Sequence, residues 1–373
     1  MIIALLLPKS VIYPSISFDI MDGIRQSFKT LGLQDEHQII SAGIGVGSKH
    51  EEIYERCEQF LLDGADIVIG YINPLAVEFV HPLFEASGKT LLVLDSGYHF
   101  PNFKGRLSSA YFISLQGCLS ARVIVNKAFQ DGYKKFAFTC SFYDAGYRPS
   151  YVYPAAVENH GGEIVFNHVT SLKRSDFTMT PLFNFIQEEK GTAVLAAFCG
   201  DMAEDFFNGS HNIIKNNHVY IAGYTADETW LSKIQYPEND VCVAVPWSRK
   251  LSSDKNQIFV QIMNNLKEGK SNLFSLLGWE AALFINKENV LFDDISIDSP
   301  RGRVWMNPEN RFSEAPIYIS KLTEDQNTGN CILSDLVEAS ETERERELLK
   351  NDISYIQSIE ANTWFNAYAC LES

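Results

Sequence analysis

The sequence predicts an α/β protein of two doubly wound parallel-sheet lobes joined by a three-strand hinge. Three observations carry this expectation. Apolar strand-like runs alternate with helix-period segments over most of the chain, the order expected of parallel strands with right-handed crossovers. Several runs are nearly continuous Val, Ile, Leu and Ala, as needed for strands covered on both faces. The 373 residues also exceed one ordinary core, since single domains hold roughly 100–200 residues.

Strands are expected first at Ile2–Leu7, Gln38–Ala42, Ile67–Gly70 and Leu91–Leu94, with a fifth run at Ala110–Ile113. A second set reads Phe136–Cys140, Glu163–Asn167, Val194–Phe198, Val219–Ala222 and Val241–Val245. Between them lie helical segments at Ile16–Leu31, Lys49–Asp63, Leu75–Ser87, Gln116–Gly132, Tyr151–His160, Met179–Lys190 and Met202–Ile214. In the second of these, Ile53, Cys57, Phe60 and Leu61 form one apolar stripe, and Gly64 closes the helix. Two further helices are expected at Asn256–Glu268 and Ser275–Asn286.

Crossings between lobes are expected near Ser114–Gly117, near Pro246–Ser248 and near Ser299–Val304. The first lobe then holds residues 1–115 and 248–298, the second 116–247 and 299–333. A hairpin is expected in the second lobe, with strands Arg303–Asn307 and Ala315–Lys321 about the turn Pro308–Asn310. Residues 334–373 read as a charged C-terminal extension, helical and solvated, with Arg and Glu spaced for i,i+4 pairs. Ile353, Ile356, Ile359 and Trp364 offer it a docking face as the alternative.

The formal charge is -16, from 31 Lys+Arg against 47 Asp+Glu. Such a surface repels phosphate backbones and anionic membrane faces, and no basic stripe interrupts it, so nucleic acid is not an expected partner. The apolar runs fall far short of the ~20 residues of a membrane span. No secretory leader is legible ahead of Met1–Pro8. The expected location is periplasmic if a signal peptide has been removed and cytoplasmic otherwise. The seven cysteines are widely spaced and mostly in apolar stretches, and read as buried small hydrophobes.

Motifs for catalysis, metals and cofactors are missing from the sequence. Gly43-Ile-Gly45-Val-Gly47 has the wrong glycine spacing for a dinucleotide loop and follows the second strand. It reads as a flexible βα loop. His50-Glu51-Glu52 lacks the second histidine of a zinc helix, no G-x-S-x-G elbow occurs, and Asp293-Asp294 reads as a solvated pair. No catalytic residue, metal site or cofactor is assigned.

Polar loops at strand C-termini remain, at the edge where open α/β sheets bind ligands. They are Tyr71-Ile-Asn73-Pro74, Asp95-Ser96-Gly97-Tyr98, Ser141-Phe-Tyr143-Asp144-Ala-Gly-Tyr147 and Gly223-Tyr224-Thr225-Ala-Asp227. Helix N-termini at such points suit a carboxylate. Hydroxyls with a nearby carboxylate suit an ammonium, and tyrosines suit the apolar part of a ligand.

The chain resembles the type I periplasmic solute-binding proteins, in particular the branched-chain amino-acid and amide-binding receptors of ABC transporters. The resemblance rests on Ile2–Pro8 with Asp19–Ile24, on Asp66–Gly70 through Asn73, and on Gly88–Ser96. It continues through Gly132–Phe138, Gly161–Val165, Asp176-Phe177, Leu277–Ala282, Ser299–Pro308 and Pro316–Ile319. It covers roughly residues 1 to 325. It implies a Venus-flytrap clamp that closes on one small amino-acid-like solute in the interlobe cleft, without enzymatic activity. The first lobe's ligand loops map onto Asn73 with Pro74 and Ser96 with Gly97, flanked by Tyr98 and by Tyr13 after the first strand. The second lobe's map onto Tyr143 with Tyr147, and onto Gly200 or Tyr224. Two roles stay open at this point. One is delivery to an ABC permease; the other is ligand sensing for a regulatory partner.

Overall fold

The computed structural model describes residues 1–47, 49–98, 107–146, 148–237, 241–285 and 295–358. The chain begins β1 (Ile2–Leu7), α1 (Ile16–Leu31), β2 (Gln38–Gly43), α2 (His50–Leu62), β3 (Ile67–Gly70), α3 (Pro74–Ser87), β4 (Thr90–Asp95) and β5 (Ala110–Ser114). It continues α4 (Gly117–Gln130), β6 (Lys135–Cys140), α5 (Pro149–Asn159), β7 (Glu163–Val169), α6 (Thr180–Glu188), β8 (Ala193–Ala197), α7 (Asp201–Gly209), α8 (His211–Asn216), β9 (Val219–Ala222), α9 (Glu228–Leu231) and β10 (Val241–Val245). The last part is α10 (Asp254–Leu266), α11 (Leu273–Phe284), β11 (Ser296–Ser299), β12 (Gly302–Met306), β13 (Ser313–Glu314), β14 (Tyr318–Glu324), β15 (Cys331–Glu338) and α12 (Thr342–Ser358). Two compact units result. Among the described residues, one is Met1–Leu115 with Leu251–Ala315; the other is Gln116–Lys250 with residues 316–358.

The first unit is built on five parallel strands in the order β2-β1-β3-β4-β5. All four residues of β3 and the last five of β1 and β4 are buried, as their unbroken apolar sequence requires. On α1, Ile16, Ile20, Ile24 and Phe28 recur every fourth residue and are buried. Gly32 ends the helix in the left-handed region (φ 70), where a residue without Cβ costs least. Gly23 of α1 and Gly278 of α11 let the two helices touch backbone to backbone. A Cβ on Gly23 would stand 2.1 Å from the Ser275 carbonyl oxygen, and one on Gly278 2.2 Å from that of Ile20. α11 also carries Glu280, which with Arg301 forms a fully buried two-bond ion pair (Nε–Oε1 and Nη2–Oε2 both 2.7 Å).

The second unit has seven strands in the order β15-β14-β10-β9-β8-β6-β7. β7 to β10 with β6 are parallel, and β14 and β15 extend the sheet antiparallel. Its core is centred on β8, β9 and β10, with Phe198, Phe206, Ile213, Leu322 and Leu333 packed around them.

Three sequence expectations need correction. Residues 299–315 belong to the first unit, because β12 pairs with β11 and β13 in a small antiparallel sheet. The expected hairpin forms about its turn, with Trp305 opposite Glu314 and Met306 opposite Ser313, but in the first unit and with a shorter second strand. That strand is β13, and after Pro316 the chain continues as β14, which pairs with β10 in the other unit. Residues 334–338, expected to open the extension, instead complete the edge strand β15 (Cys331–Glu338).

The solvated-helix reading of the tail also fails over α12. Glu345, Leu349 and Asp352 are buried on one face of it. Arg122 of α4, with no exposed surface, donates from Nε to Glu345 Oε2 (3.0 Å) and from Nη1 to Asp352. His160 Nε2 lies 3.0 Å from Glu345 Oε1, and Arg346 donates to Gln116 Oε1 at 2.5 Å. The inner face of α12 is thus largely charged, which hides it from a hydrophobicity pattern. Cys57, Cys140, Cys242 and Cys331 are buried free thiols, and Cys118 is buried. Asp293, Asp294, Ile359, Trp364 and Cys370 lie outside the described residues.

Candidate functional site

Strand order locates the loops that matter in each unit. In the first, β1 has β2 on one side and β3 on the other. The chain passes from β1 to β2 on one side and from β3 to β4 on the other, so the loops after β1 and β3 diverge at their C-terminal ends, the place where such sheets bind ligands. In the second, β6 has β7 on one side and β8 on the other, and the loops after β6 and β8 hold the equivalent position.

In the first unit Tyr13 follows β1 and is buried, its N–H donating to Ser10 Oγ (2.9 Å). Its ring meets Phe274 of α11 edge-on (4.9 Å), and Tyr71, after β3, also meets Phe274 edge-on (5.8 Å). An aromatic trio therefore sits beside the switch point; the sequence places Tyr71 in a candidate ligand loop but gives no sign of Phe274. Asn73 is the N-cap of α3, its Oδ1 accepting the Leu75 N–H (2.9 Å), with Pro74 opening the helix. After β4, Gly97 adopts φ 73 and donates its N–H to Asp95 Oδ2 (2.9 Å), while Ser96 Oγ accepts the Tyr98 N–H (3.2 Å). Ser114 of β5 donates to the same Asp95 oxygen (2.8 Å). Burial raises the Asp95 carboxyl to about 7 against these two hydrogen bonds.

In the second unit the loop after β6 carries Ser141, half-buried Tyr143 and buried Asp144. Asp144 Oδ2 accepts the Ser141 hydroxyl (2.5 Å) and the Cys199 N–H (3.2 Å), the latter from the loop after β8. Burial pushes this carboxyl too up to about 7. Arg148, at the N-cap of α5 in the same loop, is 7% exposed, and burial lowers its pKa. Gly200 caps α7 at φ 58, ψ -134, a conformation open only to glycine. Tyr224 lies in a short 3-10 turn after β9 and is packed at 2% exposure, as deep as a core residue. Tyr147 lies outside the described residues.

The structure thus brings Tyr13 and Asn73 to one switch point, and Tyr143 and Gly200 to the other. Ser96, Gly97, Tyr98 and Tyr224 stand at neighbouring strand ends. Asp95, Asp144 and Arg148 were not singled out from sequence, although each lies in or beside a loop that was. Their burial is what marks them, and burial is a tertiary property. The Gly43–Gly47 segment is a turn with Gly45 and Gly47 at positive φ, ahead of α2. Among the described residues no three His, Cys, Asp or Glu side chains converge as a metal site. No described helix is long and apolar enough to cross a membrane.

Residues 46–287 match the model of the periplasmic binding protein family, and the chain belongs to that family. It is a type I periplasmic binding protein, and the family's members are ligand-binding transport components rather than enzymes. The fold is shared with a solute-binding protein of an ABC transporter from Rhodopseudomonas palustris BisB5, solved with 3,4-dihydroxybenzoic acid. That similarity has 17% identity over 91% of this chain and 97% of that one, with a TM-score of 0.72. An ABC transporter substrate-binding protein from Sphaerobacter thermophilus gives 16% identity, coverage of 91% and 98%, and a TM-score of 0.77. A leucine-, isoleucine-, valine-, threonine- and alanine-binding protein from Brucella ovis gives 12% identity, coverage of 92% and 96%, and 0.72. No curated protein sequence matches the chain.

Proposed function

We propose that this chain is a substrate-binding receptor that captures a small polar solute, an amino acid or a related carboxylate or amide, for ABC-type import. Family membership supports the receptor role. The observation that carries the ligand class is the content of the loops at the two switch points. They combine helix N-termini, the hydroxyls of Tyr13 and Tyr143, and the buried Arg148 guanidinium. Helix N-termini and a desolvated guanidinium both favour a carboxylate, and the aromatic rings suit an apolar body. A carboxylate is also common to the compounds named for the Rhodopseudomonas and Brucella proteins.

The proposed contact residues are Tyr13, Asn73, Pro74, Ser96, Gly97 and Tyr98 from the first unit, with Tyr143, Tyr147, Gly200 and Tyr224 from the second. Tyr224, from its depth, acts as a wall rather than a hydrogen-bonding tip. The proposed partner is an ABC permease, and the proposed location is the periplasm. Ligand sensing for a regulatory partner is the second reading, favoured by the charged helix α12 built into the second unit.

A thermal-shift screen over leucine, alanine, 3,4-dihydroxybenzoate, benzoate and acetamide tests the proposal. At least one carboxylate is expected to raise Tm in a saturable way, because a ligand of the native state alone stabilises it by mass action. No shift with any carboxylate would remove the ligand class.

A further inference from the structure

The loop after β8 leaves the sheet with two consecutive backbone N–H groups that no strand ladder satisfies. Side chains from its two neighbours take them. Phe198 N–H donates to Thr225 Oγ1 (2.8 Å), from the turn after β9. Cys199 N–H donates to Asp144 Oδ2 (3.2 Å), from the turn after β6. The next residue is Gly200, held at φ 58 and ψ -134 ahead of α7. The loop is therefore pinned on both flanks one and two residues before its strained glycine.

The Asp144 pin is itself braced. The Ser141 hydroxyl donates to the same carboxylate oxygen (2.5 Å), and the Asp144 N–H donates back to Ser141 Oγ (3.0 Å). Ser150, at the start of α5, donates to the Asp144 carbonyl (2.5 Å). A buried carboxylate is costly unless hydrogen-bonded, so a residue committed to this place has a demanding local role. Ordinary βα loops do not need one.

We propose that Asp144 is the positioning residue of the second unit's binding edge. By accepting the Cys199 N–H and the Ser141 hydroxyl, it fixes the loop that ends at Gly200 against the loop that carries Tyr143. It acts through these loops rather than by touching the solute, and its value to binding rests on the receptor reading above. Fixing two loops before the solute arrives removes an ordering cost that binding would otherwise bear.

Hydrogen–deuterium exchange of the ligand-free chain, read over residues 196–203, tests the pin without any ligand. Asp144→Ala is expected to speed exchange there about tenfold, the scale of one lost hydrogen bond, while β6 and β10 keep their protection. Asp144→Asn keeps an oxygen in place and is expected to restore most of the protection, which a general loss of packing would not do. Thr225→Val is expected to expose Phe198 on the other flank. Unchanged exchange at 196–203 in a folded Asp144→Ala protein overturns the proposal, as does equal exchange in the Asn and Ala variants. Should Asp144→Ala not fold, Ser141→Ala carries the test. It is expected to raise exchange several-fold, and unchanged exchange again overturns the pin. A wild-type chain that no probe stabilises would overturn the receptor reading alone, since exchange decides the pin by itself.

Discussion

Replacing Glu345 by Ala asks whether α12 is a working part of the second unit. Arg122 has no exposed surface, and its guanidinium is met by Glu345 and Asp352. Glu345 is equally buried and also faces His160 Nε2 at 3.0 Å. Removing it leaves a desolvated cation with one carboxylate fewer and an imidazole without its acceptor. Breaking a buried pair from one side costs about 3–5 kcal/mol, mostly from the charge left behind. A unit of this size loses about 2–4 °C of Tm per kcal/mol, so the transition containing α4 should fall by roughly 6–20 °C. Differential scanning calorimetry with urea unfolding reads both quantities. A loss of under about 1 kcal/mol would refute the reasoning, because surface ion pairs have that worth. It would mean that water reaches Arg122 and that α12 is loosely held.

Other consequences follow from the same contacts. Gly23→Ala should destabilise the first unit by about 1–3 kcal/mol, since its Cβ meets the Ser275 backbone at 2.1 Å; denaturant titration checks this. Asp95 is raised to about 7 in the folded chain, above its unfolded value. The native state thus holds this proton in the window between the two values, so its contribution favours folding at low pH and is lost as pH rises through about 7. Asp95→Asn should flatten the stability profile in that window, measured by urea midpoints at successive pH values. Asn73→Ala should cost about 1 kcal/mol through the lost α3 cap and weaken solute affinity as well. Tyr143→Ala should weaken affinity with little change in Tm, and calorimetric affinities unchanged in both variants would clear these residues of any binding role.

Much of the α/β framework is legible in the sequence because it is written in hydrophobicity. The runs at Ile2, Ile67 and Leu91, and the four-residue repeat from Ile16 to Phe28, report burial directly. What stays hidden is written in other terms. β15 alternates weakly at a sheet edge, and the inner face of α12 is Glu345, Leu349 and Asp352, so neither gives an apolar signal. The hairpin's second strand is cut short as β13, because after Pro316 the chain passes to a different sheet and pairs with β10.

The binding edge was legible as loops but not as roles. Gly200 and Asn73 stand where strand ends predict them, yet Asn73 is first a helix cap and Tyr224 first a packed ring. Asp95 and Asp144 look solvated in sequence, because a carboxylate in a polar loop usually is. Only the fold reveals that both are enclosed.

Isothermal titration calorimetry of the intact chain with a carboxylate from the thermal screen, followed by mass spectrometry of the recovered compound, bears most directly on the central claim. Saturable binding of one solute per chain, with the compound returned chemically unaltered, is the predicted result. A chain that binds no small solute, or that returns an altered one, would contradict the account.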